Sequence, residues 1–165
     1  MASSVLSPVI YAPLTTVVFS LDERRFALRL AAVERVFAAA EIASLPAAPR
    51  IVLGVINIRG RVVPVVDVRK RFGLPTREIA LSDQFILGRT GSRSVALLVD
   101  AVMGVVGLSQ DETTHAGAIV PGLEYVEGVA RLSDGMVFIH DLGTFLSLEE
   151  TIALDVALPL SPAGR

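Results

Sequence analysis

Residues 54–67, GVINIRGRVVPVVD, constrain the fold more than any other stretch, because two apolar runs flank a polar centre of one Asn, two Arg and a Gly. Val55 and Ile56 on one side, and the run at 62–66 on the other, carry the β-branched side chains that suit pleated strands. Arg59 and Gly60 stand where a tight turn needs a residue that tolerates positive φ. The stretch therefore reads as a β-hairpin. With Arg59-Gly60 as a two-residue loop, Ile58 and Arg61 form the first hydrogen-bonded pair, and alternation sets Pro64 opposite Val55 at a non-hydrogen-bonded site. The missing N–H of Pro64 then costs little, provided that side of its strand is an edge. Asp67 ends the second strand, and residues 68–73 follow as one short helical turn closed by Gly73 and Pro75.

The spacing G-x-x-N-x-R-G-x-x-x-P-x-x-D, followed by Phe72-Gly73, resembles the signature of the CheW-like domain family, named after the coupling protein of bacterial chemotaxis. Eight positions at fixed spacing carry that likeness, although the hairpin alone is one that any small barrel could use. The resemblance extends, more weakly, from about Thr15 to about Glu149. It sets a CheW-like domain at residues 15–150, between a flexible N-terminal arm over 1–14 and a C-terminal tail over 151–165.

A chain of 165 residues is long enough for one domain, or for two small lobes sharing one body. Apolar residues make up 52% and charged residues 19%, which argues against disorder and leaves apolar surface to cover partners. A formal net charge of −2 offers no electrostatic footprint for nucleic acid. The Arg residues within 59–71 form the densest basic cluster, explained at least as well by a solvated strand end as by a phosphate. The chain has no Cys, which removes thiolate chemistry and disulfides and suits a reducing compartment. Residues 1–21 carry no charged side chain, but a basic n-region is missing and Pro8 and Pro13 interrupt the apolar run, so a signal peptide is not the reading. Later apolar runs are cut by Asp, Gly or Arg before about 18 residues, too soon for a bilayer span. A cytoplasmic protein without direct membrane insertion is the simplest expectation.

Short β-type runs recur along the chain. Residues 15–20 and 25–29 should pair antiparallel across a polar spacer. Residues 32–37 allow helix or strand by propensity alone, and Pro46 and Pro49 mark a loop over 44–50. A second half begins with strands at 83–89 and 93–99, then 102–108, where Gly104 and Gly107 suggest bulges or bends. Residues 124–132 and 136–140 form a further hairpin around Asp134-Gly135, and Asp141 caps a closing helix through Leu148. The polar, Gly-bearing stretch 109–121 suggests an interaction surface or a disordered loop. Such strands, with turns every 8–12 residues, argue for an all-β barrel or sandwich with a few short helices.

The resemblance favours a strand at 32–37 and implies two small SH3-like five-stranded β-barrels packed around a shared core. Because strands need not respect the chain midpoint, the two barrels are not cut into independent domains.

Enzymatic chemistry finds few groups. Catalysis needs a nucleophile beside a base, paired acids or a metal cage. His115 and His140 are the two imidazoles. His140 sits in an apolar strand and reads as a packed, hydrogen-bonded ring. His115 with Asp111 and Glu112 reads as solvated loop polarity and not as a metal site. Phosphate-binding Gly-rich loops and the G-x-S-x-G elbow are missing. The expectation is no catalytic residue, no cofactor and no metal.

What the resemblance implies is a scaffold that couples the cytoplasmic tip of a chemoreceptor to the regulatory domain of the histidine kinase CheA. One apolar barrel surface would dock the kinase, and a groove between the barrels would take the receptor's helical tip. Carried over by motif, Asn57, Arg59, Gly60 and Asp67 are the hairpin positions, with Val33, Val36 and Val102 as nearby apolar candidates. Two other readings stand beside it: an adaptor of the same family in another kinase pathway, such as surface motility or development, and a small β-barrel enzyme or ligand carrier, which would need convergent polar groups in a pocket.

One position departs from the family pattern. CheW-like sequences usually carry an acid 22 positions ahead of the hairpin Asn, where this chain has Arg35, with the carboxylate displaced to Glu34. Regular alternation would send the two to opposite faces and put a positive charge on a partner surface, whereas a bulge would return Glu34 to the usual face.

Overall fold

The computed structural model describes residues 14–91, 93–109, 113–115, 126–132 and 135–159. The fold is mainly β, in two lobes. The first lobe contains β1 (Leu14–Leu21), β2 (Arg24–Arg29), β8 (Ala101–Leu108), β9 (Thr113–His115), β10 (Val126–Leu132) and β11 (Gly135–His140), in the order β8-β1-β2-β11-β10-β9. The second contains β3 (Val33–Ala38), β4 (Val52–Ile58), β5 (Arg61–Val66), β6 (Gln84–Thr90) and β7 (Arg93–Val99), in the order β3-β6-β7-β5-β4. The chain thus begins in one lobe, crosses at a 3-10 turn over Leu30–Ala32, builds the whole second lobe and returns at Asp100. After β3 it comes back onto β4 through a bridge between Ala43 and Val55, so the second sheet curls on itself.

Period-two alternation explains how these lobes share a core. Along β1, Val18 packs inside the first lobe and Phe19 points into the junction; on β2, Ala27 faces inward while Phe26 and Leu28 face the junction. The second lobe does the same. Phe85 and Leu87 fill its interior, and Ile86 between them reaches the junction, as do Val95 and Leu97 on either side of Ala96. Strands apolar on both faces are therefore what two fused barrels require. Fully burying one such Leu, Ile or Phe is worth roughly 1.5–3 kcal/mol, so the junction is a main source of stability.

The family's Phe-Gly turn has a structural explanation. Phe72 caps α1 (Val68–Arg71) in the second lobe, and its ring stacks on His140 of β11 at 4.1 Å and packs, tilted, against Phe26 of β2 at 4.7 Å. His140 is buried at 3% exposure among these rings, the packed position that its apolar strand suggested.

Several sequence expectations change. Pro64 lies opposite Val55, but β5 is an interior strand. The proline is tolerated because pairing with β7 begins only at Val65, one residue later. Asp141 does not cap the closing helix; its side chain accepts from the Gly143 amide at 2.9 Å and caps a 3-10 turn over Leu142–Thr144. The helix is α2 (Leu148–Ala157), started by a capping box in which Ser147 and Glu150 satisfy each other's backbone amides. It runs past residue 150, and Leu154 is fully buried in the shared core. Within 109–121, residues 113–115 pair with β10 as β9, a short sixth strand added to the five longer ones of that lobe. Asp111, Glu112, Asp134 and the arm before Leu14 lie outside the described residues.

Candidate partner-binding site

The hairpin of β4 and β5 forms as its turn chemistry dictates. Ile58 pairs with Arg61, and both central residues have positive φ, 50° at Arg59 and 84° at Gly60, the signature of a primed turn whose twist matches the strands. The Asn57 side chain closes the turn: its Oδ1 accepts the Gly60 N–H at 2.8 Å. Arg59 is exposed at the tip and, among the described residues, makes no ion pair or side-chain hydrogen bond. A Cβ-bearing residue in this region stores roughly 1–3 kcal/mol of strain. The leading glycine of the signature meets a different demand. Gly54 has φ +156°, and an added Cβ would lie 2.2 Å from the Ala43 carbonyl oxygen, where the returning chain crosses β4.

Asp67 faces the protein, not solvent. It is 9% exposed, its side chain accepts the Lys70 amide at 3.0 Å, and it is the N-cap of α1. Asn57 and Asp67 therefore have turn-building roles in this fold, and Arg59 is the signature side chain left facing outward.

Val33, Val36 and Val102 lie away from the hairpin turn, each half-buried against the shared core at the lobe junction. β3 and β8, which carry them, are edge strands of the two sheets among the described residues. They are linked through Gln84, which pairs with Ala38 of β3 and whose side-chain carbonyl accepts the Val102 amide at 2.7 Å. Among the described residues no hydrogen bond or ion pair joins these valines to the hairpin tip.

Glu34 is the extra residue of a β-bulge, since Val33 pairs with Gly88 and Arg35 already pairs with Leu87. Regular alternation fails across a bulge, so the expectation that Glu34 and Arg35 point to opposite faces does not hold here. Both are exposed; Glu34 Oε2 accepts from the Ser94 hydroxyl at 3.1 Å.

The sequence reading missed Met103 and Val105, 59% and 62% exposed on β8 beside Val102. Met103 is a bulge residue, because Val18 pairs with Gly104 and Phe19 with Val102. A continuous apolar run at 102–106 looks buried on both faces, yet exposure alternates along β8 and leaves Met103 and Val105 facing outward. An exposed apolar edge of this kind suits binding of another protein. No group of His, Asp and Glu among the described residues is placed to hold a metal. No helix among them is long and apolar enough to cross a membrane.

Comparison with known proteins agrees with this architecture. The CheW-like domain family matches residues 15–150. The chain is 30% identical over 136 residues to the chemotaxis protein CheW of Rhizobium meliloti, covering 81% of this chain and 88% of that one. It is 26% identical over 140 residues to that of Klebsiella aerogenes, covering 84% of each. The crystal structure of the scaffolding protein TtCheW from Thermoanaerobacter tengcongensis superposes with a TM-score of 0.76 at 29% identity, covering 84% of this chain and 95% of that one. Two SH3-like β lobes, a family match over most of the chain and relatives spanned nearly end to end place the protein in the CheW-like family of chemotaxis scaffold and adaptor proteins, which are not enzymes.

Proposed function

We propose that this protein couples a chemoreceptor to the histidine kinase CheA, in the cytoplasm at receptor arrays on the inner face of the membrane. The observation that carries the reading is the lobe junction: Val33, Val36 and Val102 are half-buried against the shared core on the edge strands of a CheW-like chain, and Met103 and Val105 are exposed on the strand of Val102. The receptor's helical tip inserts apolar side chains along that junction, and polar residues set its register. The regulatory domain of CheA, itself related in fold, docks on a lobe surface, and Arg59 at the hairpin tip offers a fixed guanidinium fork to a carboxylate or a row of carbonyls. Reconstitution with receptor-bearing membranes and CheA from the same genome tests this. Co-sedimentation of the kinase should require this protein and should fall when Val102 or Met103 is replaced by Asp; sedimentation independent of the protein sinks the reading.

A second reading rests on Arg35. Where the family usually carries an acid, an exposed guanidinium favours partners of a different pathway within the same family. The identity of the receptor that co-purifies with the protein separates the two.

A further inference from the structure

The return from the second lobe to the first is one residue long: β7 ends at Val99, β8 starts at Ala101, and Asp100 lies between them. Its carboxylate accepts from Arg69 Nη2 at 2.9 Å, from Arg77 Nη2 at 2.6 Å and from the Asp22 amide at 2.6 Å. Each guanidinium also reaches further. Arg69 donates to the Asp22 carboxylate at 2.8 Å and to the Pro75 carbonyl at 3.0 Å. Arg77 holds both oxygens of Asp83, at 2.7 and 3.0 Å. Asp22 belongs to the β1–β2 turn of the first lobe, whereas Arg69 sits in α1 and Arg77 and Asp83 precede β6 in the second. One line of charges therefore runs from lobe to lobe through the residue on which they would pivot.

We propose that Asp100, clamped by Arg69 and Arg77, is the lock that fixes the angle between the two lobes, and with it the shape of the junction offered to a partner. The shared apolar core holds the lobes together but specifies their rotation weakly, because apolar attraction has no direction. Forked charged hydrogen bonds do have direction. Desolvation offsets much of their Coulomb gain, so such a network sets an arrangement more than it adds stability. Burial opposes charge on Asp100, but hydrogen bonds from Arg69, the Asp22 amide and Arg77 outweigh it and hold the carboxyl below its ordinary range. It is therefore ionised at neutral pH. A single-residue crossing is also where a hinge would absorb a change in backbone angles. The consequence for a partner rests on the adaptor reading; the lock itself does not.

The absence of Cys from the sequence makes the test direct. Spin labels at Arg131→Cys in the first lobe and Val62→Cys in the second, both exposed positions, report the inter-lobe distance without background labelling. The parent should give one narrow distance distribution. Asp100→Asn, which turns an amide nitrogen toward a guanidinium, should broaden it about twofold or add a second peak, with the far-ultraviolet spectrum unchanged. Asp100→Glu, which keeps the carboxylate, should restore a single peak. If Asp100→Asn does not fold, Arg77→Gln, which removes one arm of the clamp, takes its place. A distribution as narrow as the parent's in the folded variant overturns the lock. Binding to receptor and kinase is then read on the same samples: equal binding by a broadened variant overturns the link to the partner alone, while failure of the parent to bind overturns the adaptor reading and leaves the distance result standing.

Discussion

The Asn57 carboxamide oxygen accepts a hydrogen bond from the Gly60 amide at 2.8 Å, across the turn that carries Arg59 at its tip. This single bond makes Asn57 a local organiser of the hairpin. Asn57→Ala should cost about 1 kcal/mol, the usual net worth of such a bond, and should speed hydrogen exchange at the Gly60 amide. Asn57→Asp, which keeps the acceptor, should restore most of the loss. Equal destabilisation by both variants in urea titrations would rule out the acceptor role.

Arg59 adopts φ 50°, a backbone region better suited to Asn or Gly. Arg59→Asn should therefore raise stability, by about 1 kcal/mol, while weakening assembly with receptor and kinase. Opposite signs for folding and binding are the mark of a side chain held under strain for a partner. A melting temperature that falls, or binding that is untouched, counts against it.

Gly54 and Gly60 are both glycines of the family signature, yet they should respond differently to substitution. A Cβ added at Gly60 meets no atom within 4 Å, so the cost of Gly60→Val is set by backbone strain, about 1–3 kcal/mol. Gly54→Ala drives a methyl to 2.2 Å from the Ala43 carbonyl oxygen and must break the bridge that curls the second lobe. It should be the more damaging change although the side chain is smaller. Denaturant midpoints decide the order.

How much of this was legible before the structure depends on how local each cause is. The hairpin followed from its turn residues and β-branched flanks, all within 14 positions. The capping box at Ser147 and Glu150 is equally local, an S-x-x-E spacing that marks the start of the closing helix more strongly than Asp141 does. Other features depend on distant contacts. Asp22 and Asp100 lie 47 and 31 positions from Arg69, and nothing in their own neighbourhoods marks them as partners. The bulge at Glu34 belongs to the pairing of β3 with β6, so it overrode the alternation expected of β3 by itself, whereas β8 keeps alternating exposure past its bulge at Met103. The hairpin arginine was recognisable in the sequence, whereas the apolar edge beside Val102 became visible only when β8 proved, among the described residues, to have no strand on one side.

Acid should weaken the fold at two places. Burial opposes ionisation of Glu150, but hydrogen bonds from Arg71 and the Ser147 amide hold its carboxyl below the ordinary value of 4.5, and Asp100 likewise lies below 3.8. A depressed folded value means that stabilisation is present above the unfolded value and lost as the pH falls through the folded one. Urea midpoints should thus hold near neutrality and drop as the pH falls below about 4. In Asp100→Asn/Glu150→Gln the neutral-pH midpoint should be lower and the acid slope shallower. Parallel curves for the two proteins would place the acid sensitivity elsewhere.

Arg35 offers the sharpest test of partner choice. It is exposed on β3 next to a bulge, and among the described residues it makes no ion pair. Its neighbour Glu34 is partly engaged by Ser94, which leaves the positive charge as the freer of the two. Because the bulge breaks alternation, the two charges are not sorted to opposite faces, and a partner approaching β3 meets both. A carboxylate opposite Arg35 would be favoured, and a basic residue there would suffer like-charge repulsion in a partly desolvated contact, worth several kcal/mol. We predict that the native receptor or kinase presents an acid at that point. Arg35→Glu should therefore weaken native binding by about tenfold or more, while improving binding to a coupling partner that carries a basic residue there. Folding should be unaffected within about 0.5 kcal/mol, since the side chain is exposed. Titration of both variants against the native partner and one from an unrelated system reads the selection directly. Tighter or unchanged native binding by Arg35→Glu would show that this charge does not choose the partner.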